Sequence, residues 1–203
     1  MIPRIEQKLE FPESKYTYFL NWLHNKKAKV LYPERIICSR YLDNENLQMY
    51  YDTNEGIVPR KKIRIRTYKT LDFINSNSPY SFEIKYTTEH QRLKKIEKNI
   101  NHKDIMNNGF VDNNYGLCTE KVDVSYSREY FIIKDVRITI DKNIKYKLLD
   151  NNKYLLEKVF QDRSYVLELK TSANKSLTEL SNFFDFPRSR FSKYERAIEN
   201  LFF

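Results

Sequence analysis

The 203-residue chain carries 36 Lys and Arg against 27 Asp and Glu, a net charge of +9, together with 16 Tyr and 13 Phe. That aromatic content can build a core and excludes a disordered chain, while only 3 Gly exclude a glycine-rich phosphate loop, a dinucleotide-binding fingerprint and collagen-like repeats. No uncharged apolar run approaches the roughly 18 residues that span a membrane, and charges from Arg4 onward leave no signal-peptide core.

The expectation is one domain over residues 1–203, cytoplasmic and without a membrane segment. The positive surplus favours an anionic partner: nucleic acid, anionic lipid or a phosphate-rich small molecule. Cys38 and Cys118 read as free, partly buried thiols. His24, His90 and His102 show no metal spacing.

Residues 4–11 alternate, with Arg4, Glu6, Lys8 and Glu10 on one face and Ile5, Gln7, Leu9 and Phe11 on the other; Pro12 ends this strand. Tyr16, Phe19, Leu20 and Leu23 recur at helical spacing and predict an amphipathic helix over 13–25. Strands are expected near 34–42 and 47–53. PRKKIRIRTY sets Arg60, Lys62, Arg64 and Arg66 against Ile63 and Ile65. A hairpin loop over 71–80 leads to SFEIKYT, where Glu83 and Lys85 oppose Phe82, Ile84 and Tyr86.

Residues 97–119, rich in Asn, Asp and Lys, read as a long connection holding one short helix. The strand near 122–131 is the exception to the alternation, because Arg128 shares its face with Tyr126 and Tyr130. DVRITID sets Arg137, Thr139 and Asp141 against Val136, Ile138 and Ile140, and YVLELKT sets Glu168 and Lys170 against Leu167 and Leu169. Ser176 and Glu179 form a capping box for a short helix to about Phe184. A last helix over 188–202 presents Phe191, Tyr194, Ile198 and Leu201 inward. Strands dominate, with helices near both ends, which gives an α+β fold on an antiparallel sheet.

A solvent face ordinarily mixes Thr, Ser, Gln, Lys and Glu. Here the same face repeats E-x-K at Glu6/Lys8, Glu83/Lys85 and Glu168/Lys170, adds K-x-R-x-R at Lys62/Arg64/Arg66, and adds Arg137 and Asp141. A sheet closed into a barrel puts one face inside. With the charged face inside, the barrel is a cationic tunnel, and its apolar outside needs helices from both termini as cover. Desolvated cations in excess call for an anion. Arginine forks suit phosphate oxygens, and a few carboxylates suit a hard divalent cation. The pattern therefore points to a polyanionic phosphate ligand with Mg²⁺ or Mn²⁺.

The ordered set RIEQK, YYDT, RKKIRIRTY, FEIK, YSREYF, VRITIDKNIKY, VLELK and RSRFSKYERAIE resembles the VTC domain. That domain is the polyphosphate polymerase of the vacuolar transporter chaperone, within the triphosphate tunnel metalloenzymes. The resemblance implies an antiparallel eight-stranded β-barrel with ATP or another nucleoside triphosphate, and polyphosphate, as ligands. By motif, Lys8, Lys62, Arg64, Arg66, Lys85, Lys94, Arg128, Arg137, Arg190 and Lys193 bind phosphate. Lys62, Arg64, Arg66, Arg137 and Lys193 act in catalysis, and Glu168 is the main metal ligand, with Glu6 beside it.

The residues also admit other readings. Glu168 also reads as a salt-bridge partner, Tyr126 and Tyr130 as packing, and Asp141 as a strand-end turn residue. Polyphosphate synthesis from ATP is the leading function. A triphosphatase acting on inorganic triphosphate or RNA 5′ ends keeps the same site. A binding module for polyphosphate or single-stranded nucleic acid needs no turnover.

Overall fold

A computed structural model describes residues 4–68, 80–97, 101–149, 158–172 and 188–203. The capping box at Ser176 and most of the loop over 71–80 lie outside them. The strands are β1 (Arg4–Pro12), β2 (Lys29–Asp43), β3 (Arg60–Thr67), β4 (Tyr80–Thr87), β5 (Arg92–Glu97), β6 (Phe110–Asp112), β7 (Gly116–Ile133), β8 (Val136–Leu148), β9 (Val159–Gln161) and β10 (Ser164–Ser172). The helices are α1 (Tyr16–Asn25), α2 (Gln48–Glu55), α3 (His102–Asn108) and α4 (Lys193–Phe202). A 3₁₀ turn over Glu13–Lys15 leads into α1. The fold is α+β, as expected, and the pairings whose register is resolved are all antiparallel.

Eight strands follow one hydrogen-bonded path, β1-β10-β8-β7-β2-β3-β4-β5, with β6 on β7 and β9 on β8. The chain divides into two compact units. The first holds residues 1–36, 126–144 and 161–191; the second holds 37–125, 145–160 and 192–203.

In the first unit the alternation sorts side chains as the sequence predicts. Leu9, Phe11, Ile138, Ile140, Leu167 and Leu169 point to one side, where Phe19 and Leu23 of α1 complete the core. Ring contacts between Phe11 and Phe19 (5.7 Å) and between Phe11 and Tyr165 (5.9 Å) tie helix to sheet. Leu20 is exposed, and Trp22 packs on the cluster instead. Ile138 is fully buried there. Ile138→Ala should cost about 2–5 kcal/mol in denaturant unfolding, whereas Arg137→Ala on the opposite face should leave ligand-free stability unchanged or slightly raised. The reverse order would put the core on the wrong side of the sheet.

In the second unit, residues 47–53 form a helix, not the expected strand. Asp43 is the cause. Its carboxylate accepts the N–H groups of Met49 (3.1 Å) and Tyr50 (3.0 Å), while Asn44 Oδ1 accepts that of Gln48 (3.0 Å). These bonds satisfy the first donors of α2, and Leu47 turns into it with φ of 53°. Three strands lie where the sequence signals none: β5, where Arg92–Glu97 pairs with β4, and the short β6 and β9. Cys38 and Cys118 are free and buried, and burial pushes both thiols up to about 12.

The C-terminal helix also departs from expectation. Tyr194 of α4 stacks on Tyr41 at 5.0 Å and donates to Asp43 at 2.5 Å. Tyr41 stands opposite Arg64 in the sheet register. The helix therefore packs on the charged face of β2 and β3 rather than covering the apolar one, because its inward tyrosine has a buried carboxylate to reach.

Candidate phosphate-binding faces

In the first unit the register builds a charged face directly. Lys8 pairs with Glu168 and Glu6 with Lys170 across β1 and β10; Glu168 pairs with Thr139 and Lys170 with Arg137 across β10 and β8. Opposed residues in a ladder share a face. Lys170 Nζ lies 3.2 Å from Glu168 Oε1 and 3.5 Å from Glu6 Oε2. Lys8 Nζ donates to the Phe191 carbonyl at 3.1 Å.

The two carboxylates differ. Glu168 is buried, yet its hydrogen bond from Glu6 and the charges of Lys170, Lys8 and Arg128 outweigh burial and hold its pKa well below the usual range. Glu6 keeps 31% of its side chain exposed. Its pKa is raised by partial burial and by Glu168, against the pull of Lys170 and Lys8.

Arg128 forks onto Asp141, with Nη2 to Oδ2 at 2.7 Å, and stands over the Tyr126 ring at 5.3 Å. Asp141 is therefore an ion-pair partner inside β8, not a turn residue. Arg137 stands over the Tyr130 ring at 5.7 Å. Both tyrosines are buried, in line with packing. Arg190 is exposed.

In the second unit Lys62, Lys85 and Lys94 stand in register across β3, β4 and β5. Like charges placed opposite one another destabilise a sheet, and Glu83 beside the row offsets part of that cost, its carboxylate 2.6 Å from Lys94 Nζ. Arg64 and Glu83 are paired in the same ladder. Arg64 Nη2 (2.5 Å), Lys94 Nζ (2.6 Å) and Arg66 Nη1 (3.8 Å) surround the Glu83 carboxylate, which is 1% exposed. Arg64 Nη1 also donates to the Tyr41 hydroxyl at 3.0 Å. Burial raises the Tyr41 pKa, but Arg64 and Arg66, followed by Lys193, bring it below the ordinary value. Lys62 donates to Ser192 Oγ at 2.7 Å, and Ser192 caps α4. Lys193, the first residue of that helix, is half-buried.

Burial would raise the Glu83 pKa, but Arg64, Arg66 and Lys94 outweigh it and hold it at about 2 against an ordinary 4.5. A depressed carboxylate pKa contributes stability that is present above pH 4.5 and lost as pH falls toward 2. About 3 kcal/mol should be lost over that window, measured as the urea midpoint against pH. Glu83→Gln should flatten the loss; an unchanged acid dependence would contradict the pairing.

Sequence reading did not reveal two further features. Glu83 serves as the shared anchor of three cations. Arg40 pairs with Ile65 in the register, so it lies on the apolar side, where it forks onto Asp123 (2.7 Å) and Glu120 (3.1 Å). The spacing of Arg40 gives no sign of this, because its partners lie on β7, beside it in the sheet but distant in the sequence. A cavity lined by Asp52, Lys61, Tyr86 and Tyr115 also opens on the Ile63 side of β3, apart from the lysine row. Its Lys61 is held by Asp112 at 2.9 Å.

No group of three or more His, Cys, Asp or Glu side chains suited to a metal occurs among the described residues. Glu6 and Glu168 offer two adjacent carboxylates. That donor set fits Mg²⁺, which ordinarily takes one or two carboxylates and draws its remaining ligands from water and substrate phosphates.

The family model of the VTC domain matches residues 3–120 and 111–202. The chain belongs to the VTC-domain family. No curated protein matches it. Among solved structures it is similar to a Vibrio parahaemolyticus protein provisionally assigned as an adenylate cyclase. The TM-score is 0.54 at 14% identity, covering 96% of this chain and 97% of that one. It is also similar to a chain of the Schizosaccharomyces pombe Mediator head module, with a TM-score of 0.51 at 7% identity, covering 89% and 88%. At these identities the likeness concerns the fold alone. No helix among the described residues is long and apolar enough to cross a membrane.

Proposed function

We propose that the charged faces bind the phosphates of a nucleoside triphosphate and of polyphosphate, and that the protein transfers the terminal phosphoryl group of ATP to a growing polyphosphate chain. The row of Lys62, Lys85 and Lys94 carries this reading. Glu83 neutralises part of this row, pairing with Arg64, Arg66 and Lys94; three lysines and two arginines around one carboxylate leave a net positive face that suits a chain of phosphates. Membership of the VTC-domain family supports it.

In this reading Lys62, Arg64, Arg66, Lys85, Lys94 and Lys193 neutralise phosphate oxygens in the second unit, and Lys8, Arg128, Arg137 and Arg190 do so in the first. A terminal phosphate oxygen of the acceptor attacks the γ-phosphorus. The bond from that phosphorus to the β,γ-bridging oxygen breaks, and the nucleoside diphosphate leaves with the electron pair. The transition state spreads charge over the transferred oxygens, which is what fixed guanidinium and ammonium groups stabilise. Glu168, with Glu6, would hold a divalent cation, and that cation would supply positive charge to offset the negative charge developing in the transition state.

Incubation with ATP and Mn²⁺ or Mg²⁺, analysed for long-chain polyphosphate, short phosphates and ADP, tests the reading. Long-chain product with stoichiometric ADP is expected. Short phosphate alone would make the protein a triphosphatase with water as acceptor, and no turnover with tight polyphosphate binding would make it a binding module.

A further inference from the structure

Four buried side-chain nitrogen or oxygen atoms among the described residues have no hydrogen-bond partner: Gln7 Oε1, Thr67 Oγ1, Arg137 Nε and Thr139 Oγ1. Gln7 alternates with the core residues Leu9 and Phe11, and Thr67 with Ile63 and Ile65, so both lie on apolar sides. Arg137 and Thr139 are different. They stand two residues apart on β8, on the face that carries Glu168 and Lys170. Thr139 is 2% exposed and directly opposite Glu168.

Buried polar atoms are almost always bonded, and an unpaired one costs free energy that the fold must recover elsewhere. Two neighbouring donors without an acceptor mark the place of a missing acceptor. Glu168 does not supply it, since its carboxylate engages Lys170 and Glu6. The Arg137 guanidinium is set over the Tyr130 ring, and a β-branched threonine in a strand has a restricted χ1. Both donors are thereby held in place before any ligand arrives. A tetrahedral phosphoryl group carries several anionic oxygens on one centre and can accept from both.

We propose that Thr139 is a further phosphate-contacting residue. Its hydroxyl donates to the phosphoryl group that also accepts from Arg137 Nε, beside Glu168. The proposal rests on the phosphate-binding reading above and adds a neutral contact to a face otherwise described by its charges. Arg137 is already assigned by its charge; Thr139 is assigned only by its unmet hydrogen bond.

The test compares Thr139→Val, which keeps the shape and removes the hydroxyl, with Thr139→Ser, which keeps the hydroxyl. Each is titrated with tripolyphosphate by calorimetry and melted without ligand. Thr139→Val should melt at the same temperature as wild type or higher, because an orphaned hydroxyl has gone. Its affinity should fall roughly tenfold, the loss of one charge-assisted hydrogen bond. Thr139→Ser should bind close to wild type. A purely structural threonine would lower the melting temperature of the valine variant, and that result would overturn the proposal. Unchanged tripolyphosphate affinity in Thr139→Val would overturn it while leaving the phosphate reading intact. Failure of the wild type itself to bind tripolyphosphate would overturn the phosphate reading and this proposal together.

Discussion

Glu168→Gln is expected to lose metal-dependent turnover by on the order of 10²-fold or more while binding polyphosphate at least as tightly as wild type. The asymmetry follows from what surrounds the carboxylate. Lys170 lies 3.2 Å from it, Lys8 stands opposite it, and Arg128 adds to the positive field. Removing the negative charge leaves those cations to the phosphates, so binding holds or improves. Glu168 is nevertheless the buried carboxylate that stays ionised, and Glu6 hydrogen-bonds to it. The amide cannot replace that anionic oxygen. Calorimetry with polyphosphate and phosphate release or polymer formation with Mn²⁺ measure the two effects separately. Turnover retained in Glu168→Gln would move the metal role to Glu6.

Arg64→Glu should be the most damaging reversal in the second unit. The wild-type guanidinium holds Glu83 through Nε (2.7 Å) and Nη2 (2.5 Å), and Tyr41 through Nη1. The variant places two carboxylates together where Glu83 is almost fully buried. Breaking a buried pair costs about 3–5 kcal/mol of folding stability, and the lost charge should cost tripolyphosphate binding about 2–5 kcal/mol. Because a poorly folded variant would blur the two effects, Lys85→Glu serves beside it. Lys85 is exposed and faces Lys62 and Lys94, so its reversal should weaken binding while the melting temperature changes little. Unaltered binding in Lys85→Glu would argue against the lysine row as a phosphate contact.

Alternation made the sheet legible. Wherever a strand carries charge on one face and apolar side chains on the other, as at Lys8–Phe11, Lys62–Arg66, Arg137–Asp141 and Leu167–Lys170, the pattern shows both the strand and which of its faces is buried in the core. It failed where that signal is missing. Residues 47–53 contain Tyr50 and Tyr51 and suit a strand by composition, but the helix is set by Asp43 and Asn44, whose side chains reach forward to its first N–H groups. Arg92–Glu97 is exposed along most of its length, and a strand with little buried surface shows no alternation.

The candidate site divides in the same way. Residue types and faces were readable, since parity puts Glu168 with Lys170, Arg137 with Thr139, and Lys62 with Arg64 on the charged face of each strand. Partners were not. That Glu83 anchors Arg64, Arg66 and Lys94, that Asp141 takes Arg128, and that Thr139 lacks an acceptor all depend on which strands lie side by side. Spacing within one strand does not carry that information. The C-terminal helix shows the same limit: Tyr194, Ile198 and Leu201 were evident from their period, but the helix starts at Lys193 rather than 188, leaving Phe191 ahead of it, and the face they meet depends on the Tyr194 hydroxyl reaching Asp43.

Titration of the wild-type protein with tripolyphosphate and with adenosine, at low and at high salt, tests the central claim most directly. Cationic faces that exist to hold phosphates should bind tripolyphosphate, with affinity falling steeply as salt rises, and should leave adenosine unbound. Adenosine binding as tightly as tripolyphosphate, or tripolyphosphate failing to bind at low salt, would contradict it.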